Sequence, residues 1–270
     1  MINMYYFRQN CSLLLSDLKN ELFIAVKQSI NSDVPIAVAF SGGLDSTLLA
    51  KICKDLGFKV TLLTVGFPHS PDIEFSKLVA SKIGLHHNIC RLNEQQFYEV
   101  LSYVRHKIGC GNVSHIENCI AYFFIANLAS RSGLQLVLTA NGCDELFCGY
   151  NKYRLIYNQG RMYIMELMDE KIANELALMR EIETVTAQTR VDIKQPFLTE
   201  KFISFAKNIS IDQKIRGSND FVRKHILRET ALSLGIPQES AMKPKKAIQY
   251  STRIHKKFKI FTKSQHHKQS

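Results

Sequence analysis

Residues 36–52 read IAVAFSGGLDSTLLAKI. Pro35 to Phe40 reads as a strand buried on both faces, a run of small, β-branched and aromatic residues after Pro35. Leu44 onward is apolar at helical spacing. Between them, Ser41-Gly42-Gly43 leaves a strand and enters a helix. Two glycines there let backbone N–H groups close on an anion, and the helix N-terminus adds its own free donors. Ser41 and Ser46 add hydroxyls. The spacing matches neither G-x-x-x-x-G-K-[ST] nor G-x-G-x-x-G, which excludes a kinase-type phosphate loop and a dinucleotide fingerprint. Asp45 would repel a bare phosphate, and makes chemical sense with Mg²⁺ standing between them. The plain alternative is a strand–helix turn with an aspartate near the helix cap.

The same alternation repeats outward from this turn. Ser12–Ile30 is helical in rhythm. Leu44–Leu56 is a helix stopped by Gly57, 59–65 a strand, Pro71–Ile83 a helix stopped by Gly84, and Leu85–Leu92 a weaker strand. Helices follow near 94–107 and 116–132, then a strand at 134–139. Beyond Cys143 the pattern is helical, broken at Pro196, Gly217, Pro237 and Pro244, with no further strand expected. Strands alternating with helices predict an α/β fold: a doubly wound parallel sheet with a helical C-terminal region from about residue 151. In such sheets ligands sit at the carboxyl ends of strands, which singles out 41–46 and 139–145.

The 270 residues are 46% apolar, enough for a substantial core. No stretch is long and apolar enough to read as a membrane span. The first twenty residues lack the pattern of a secretory leader. Seven cysteines, an odd count with no C-x-x-C spacing, suit a reduced, cytoplasmic protein; Cys143 and Cys148 read as small core residues rather than metal ligands. Six of the eleven net positive charges fall after Thr252. The chain therefore divides into a body, 1–254, and a basic C-terminal tail, 255–270. That tail suits a solvated end, or a handle for nucleic acid or acidic lipid.

The hexapeptide Ser41–Ser46 resembles the pyrophosphate loop of the N-type ATP pyrophosphatases, whose fold is adenine nucleotide alpha hydrolase-like. Residues 139–153, TANGCDELFCGYNKY, resemble the second signature of the asparagine synthetase family. Four more stretches keep that family's order: Val65-Gly66 with Ser70-Pro71-Asp72, Gln195–Leu198, Lys224–Glu229 and Pro244–Ala247. The resemblance implies an ATP-dependent, AMP-forming carbon–nitrogen ligase acting on a carboxylate, the side chain of aspartate. Adenylation releases pyrophosphate, and ammonia then displaces AMP. It implies ATP contacts from Ser41, Gly42, Gly43, Asp45, Ser46, Val65, Thr139, Ala140 and Asp144. Asp45 and Asp144 would share Mg²⁺, and Lys245 would neutralise the charge that builds on the departing phosphates. The implied partners are small-molecule substrates, and a homo-oligomer is compatible. The broader superfamily leaves room for another acceptor carboxylate, for tRNA, or for a catalytically weak ATP-binding relative.

Three positions depart from the family pattern. Its glutaminase domain carries a cysteine after the initiator methionine, where this chain has Ile2, so ammonia is expected free or from a separate glutaminase subunit. Asn141 stands where the signature has Glu. Ile116–Cys119 stands where the family recognises aspartate through Thr and Arg, leaving Arg105, His106 or His115 as substitutes.

Overall fold

The computed structural model describes residues 2–30, 34–109, 111–244 and 248–269, and the side chains of 13–261 within them. An N-terminal helix, α1 (Ile2–Gln28), precedes β1 (Ile36–Ala39), α2 (Leu44–Asp55), β2 (Val60–Gly66), α3 (Pro71–Ile83) and β3 (His86–Arg91). Next come α4 (Glu94–Ile108), α5 (Val113–Arg131), β4 (Leu136–Leu138), α6 (Cys143–Leu146), α7 (Asn151–Ile156) and the long α8 (Arg161–Thr186). The chain closes with β5 (Asp192–Lys194), α9 (Glu200–Asn208), α10 (Ile211–Lys214), α11 (His225–Ser233), α12 (Gln238–Ala241), α13 (Ile248–Ser251) and α14 (Ile254–Gln269).

Among the described residues five strands pair in parallel, in the order β3-β2-β1-β4-β5. Alternate residues of one strand face opposite sides. Ile36 and Val38 of β1 and Leu136 and Leu138 of β4 therefore enter the core formed with α1, α2, α9 and α11. Ala37 and Val137, paired in register, enter a second core with α4, α5, α8 and α14. Both faces are covered, as the apolar strands require.

β5 is a correction to the expected strandless C-terminal region. It pairs Ile193 with Val137 at the sheet edge. Its three residues, Asp-Ile-Lys, carry one buried apolar side chain, too little for a periodic signal. The basic C-terminal segment is also more than a loose end. It is helical, with Ile254 and Phe258 buried in the second core. Cys143 and Cys148 are fully buried core residues. Among the described residues no helix is long and apolar enough to cross a membrane.

The chain order reverses at β1. β2 and β3 extend the sheet to one side, β4 and β5 to the other. The crevice outside the carboxyl ends of β1 and β4 is thus the topological switch point, where doubly wound folds place ligands. Ser41–Gly43 and Thr139–Gly142 both emerge there.

Candidate active site

The loop after β1 is shaped by its glycines. Gly42 has φ +71, and a Cβ there would lie 2.9 Å from the Phe75 ring and 3.2 Å from Ser76 Cα. The hydroxyls of Ser41 and Ser46 lie 3.3 Å apart; Ser46 accepts from Ser41 N and donates to Gly43 O. From α12, the Ser240 hydroxyl donates to Gly42 O at 2.7 Å, and Lys243 Nζ donates to Ser41 O at 3.2 Å. The loop is therefore held from outside as well as by its own turn.

Asp45, in the first turn of α2, and Asp144, in α6, point at the same atom. Lys224 Nζ donates to both Asp45 oxygens, at 2.8 and 2.6 Å, and lies 2.7 Å from Asp144 Oδ1. Lys224 is 3% exposed and Asp144 6% exposed, whereas the Asp45 side chain is 18% exposed, so the triad is largely withdrawn from water and opens to the clefts through Asp45. Close packing demands Gly149 beside it. A Cβ at that position would sit 2.0 Å from Asp144 Oδ1 and 2.4 Å from Lys224 Cε. Gly149→Ala is accordingly expected to cost about 1–3 kcal/mol by overpacking. The cost reads out as a lowered thermal midpoint, and an unshifted midpoint would show that the triad is not packed this way.

Lys224 reaches this position through an unusual backbone. Arg223 and Lys224 have φ 51 and 54, the left-handed region that non-glycine residues rarely adopt. Asp220 holds them there. It accepts from the N–H groups of Arg216, Val222 and Arg223 and from His225 Nε2. Burial alone would raise the Asp220 carboxyl, but these donors outweigh it and bring it down to about 2. Buried Arg228 braces the far side, donating to the carbonyls of Val222, Arg223 and Ala241.

Two adjoining clefts meet at the glycine loop. The larger is walled by Phe40, Leu63 and Val65 from the strand ends and by Tyr122, Asn141 and Glu175 from the helical side. The smaller shares Ser41, Asp45 and Ser46 and adds four cations, Arg223, Lys224, Arg228 and Lys243. A polyanion lying across the loop would therefore meet carboxylates and cations in turn.

Two carboxylates facing one point, with donors open to phosphate and water oxygens, suit Mg²⁺, which commonly binds through one or two carboxylates plus substrate phosphates. Among the described residues no group of three or more His, Cys, Asp or Glu could hold a metal alone. With Lys224 Nζ between the two acids, a cation can enter only as that ammonium moves aside.

Of the residues singled out from sequence, Ser41, Asp45, Ser46, Val65, Thr139, Ala140 and Asp144 line the larger cleft, and Gly43 lines the smaller. Gly42 shapes the loop from behind. Lys245 lies outside the described residues. His115 lines the larger cleft, whereas Arg105 stacks over Phe258 at 5.4 Å and His106 is exposed. Glu117 is turned away from the cleft, to His255 Nδ1 at 2.7 Å. Lys224 opens one of the matched stretches, but no local pattern of the sequence marks it as part of the site. A charged residue opening a matched motif was the available signal.

A family model for asparagine synthase matches residues 17–193 and 158–267. The chain is 28% identical over 232 residues to asparagine synthetase B [glutamine-hydrolyzing] of Escherichia coli K12, covering 79% of this chain and 41% of that protein. It is 27% identical over 234 residues to asparagine synthetase [glutamine-hydrolyzing] of Bos taurus, covering 83% and 41%. The chain thus spans less than half the length of these two relatives. Among solved structures it is similar to NMN synthetase from Francisella tularensis, with TM-score 0.47 and 14% identity over 88% of this chain and 76% of that one. A match running over nearly the whole sequence, on a parallel sheet with a glycine loop at its switch point, places the chain in the asparagine synthase family.

Proposed function

We propose that this chain is an ATP-dependent, AMP-forming ligase that adenylates a carboxylate and transfers the acyl group to ammonia. The side chain of aspartate is the acceptor expected from the family. A separate glutaminase subunit is one source of nitrogen and free ammonia the other. The observation that carries the reading is the convergence of Asp45 and Asp144, from the ends of two neighbouring strands, on one ammonium beside the glycine loop.

In this reading the adenine lies against Phe40 and Val65, and the phosphates cross Ser41–Ser46. The β and γ phosphates then face the cleft that holds Lys224, Arg223 and Lys243. Pre-placed cations there stabilise charge as pyrophosphate departs, which is the main work of phosphoryl chemistry. Lys245 is proposed to add to this. Asp45 and Asp144 would hold Mg²⁺, which supplies neutralisation of phosphate charge. The helical wall of α5 and α8 keeps water from the acyl-adenylate, which would otherwise hydrolyse.

The test is release of pyrophosphate and AMP from ATP with magnesium, ammonium and each amino acid in turn. Aspartate-dependent release of both is expected. Asp45→Asn should lower pyrophosphate release by about 100-fold or more, with the circular dichroism spectrum preserved. No release with any carboxylate from a folded sample would overturn the ligase reading, and an unaffected Asp45→Asn would overturn the role of the acid pair.

A further inference from the structure

Resting on the ligase reading above, we propose that Gln249 selects the acceptor by its ammonium group. The substrate class is then a carboxylate carrying a nearby amino group, with or without a second carboxylate. Gln249 lies on α13, is 7% exposed and lines the larger cleft. Its Nε2 donates to Ser114 Oγ at 3.3 Å, and its Oε1 is buried without a partner among the described residues.

A buried acceptor without a hydrogen bond is costly, and folded proteins satisfy almost all of them. One that faces a cleft is satisfied by what enters the cleft. The segment carrying Gln249 is pinned in place. Thr252 O accepts from Phe67 N at 3.0 Å just beyond β2, and the Ser251 hydroxyl donates to Asp72 of α3. The amide is therefore held both by its backbone and by Ser114, with its carbonyl left for a ligand N–H or O–H.

The surroundings favour a charged donor. Five carboxylates line the larger cleft, Asp45, Asp72, Asp144, Glu145 and Glu175, and among the described residues no lysine or arginine does. Lys224 and Lys243 meet three of these acids from the side of the smaller cleft, where the phosphates lie in the ligase reading. An ammonium gains both from the unpaired carbonyl and from the negative wall, whereas a neutral hydroxyl gains only the first.

A second carboxylate on the acceptor finds no such welcome. The guanidinium of Arg105 stacks over Phe258. The Asn112 side chain already takes the N–H groups of Ser114 and His115 at the start of α5. Both ring nitrogens of His115 are engaged, Nδ1 with Glu181 at 2.8 Å and Nε2 with Asn174 at 3.2 Å. Recognition thus rests on the amino group.

ATP–pyrophosphate exchange, measured with ATP and magnesium but no added ammonium, reports adenylation of each acid. Aspartate is compared with succinate, which lacks the amino group, and with β-alanine, which lacks the second carboxylate. Glutamate, glutarate and 4-aminobutyrate form a longer series. In the series that drives exchange, the acid without the amino group is expected to fall by about 100-fold or more in kcat/KM, because a site built for an N–H donor rejects the analogue lacking it. The acid without the second carboxylate should stay within about tenfold of the parent. Gln249→Met should raise KM for the amino acid by about tenfold or more and leave KM for ATP within about twofold. Gln249→Glu keeps an oxygen at the position and should hold the amino-acid KM within about threefold of wild type. A merely structural role would move both Michaelis constants together, or neither. Equal exchange with and without the amino group, exchange that requires both carboxylates, or a Gln249→Met variant weakened only for ATP would overturn the assignment and leave the ligase reading intact. A wild-type chain with no exchange on any acid would overturn the ligase reading and this inference with it.

Discussion

Lys224→Met is expected to destabilise the chain by about 3–5 kcal/mol, the range for removing one partner of a buried ion pair. The physical cause is what remains. Asp45 and Asp144 both lie within 2.8 Å of the lost ammonium, so the variant leaves two carboxylates facing each other in a buried site. Two like charges there cannot both ionise cheaply, and one acid must rise above its unfolded value. An acid so raised binds its proton more tightly folded than unfolded, so stability falls as pH rises. The deficit of Lys224→Met should therefore be largest near pH 8 and shrink toward about pH 5. Urea unfolding of both proteins across that range measures it. A pH-independent deficit, or none, would show that the ammonium does not sit between these acids. Titrating magnesium into the variant gives a second reading. If the two carboxylates are the metal site, the cation should restore stability more in Lys224→Met than in the wild type, because no ammonium has to be displaced.

Parallel strands covered on both faces appear in the sequence as largely apolar runs, which is why β1, β2 and β4 were legible, whereas the polar edge strand β3 was marked mainly by the helix stop at Gly84 before it. Gly57 and Gly84 marked helix ends for the same local reason: both take a positive φ that other residues resist. β5 was not legible, because its membership in the sheet depends on Val137 and Leu138 offering an edge, a fact of tertiary structure. The site divides in the same way. Asp45 and Asp144 stood out because each follows a glycine turn at a strand end. Lys224 meets Asp45 across 179 residues, and its left-handed backbone is set by Asp220 rather than by its own propensity. Lys245 rests on motif resemblance alone.

The C-terminal segment carries the second large effect. Removing residues 255–270 is expected to cost about 3–5 kcal/mol by breaking a buried pair, with about 1.5–3 kcal/mol more for the Phe258 side chain. Glu117 is 2% exposed on α5 and accepts its hydrogen bond from His255. Burial raises the Glu117 carboxyl above its ordinary value, and His255 draws it back down. Without His255 only the rise remains. The truncated chain should therefore gain stability as pH falls from about 8 to about 5, and the full chain less so. The damage should also reach the cleft, since Ser114, His115 and Asn118 line it from the same turns of α5 as Glu117. Glu117→Gln isolates the ionic share. In that background truncation should cost less, by the energy of the pair, and its pH dependence should disappear. If truncation costs the same in both backgrounds, the pair contributes nothing and the helix matters only through Phe258. If truncation costs nothing at all, α14 is a solvated appendage, and its five net positive charges become available to an acidic partner instead.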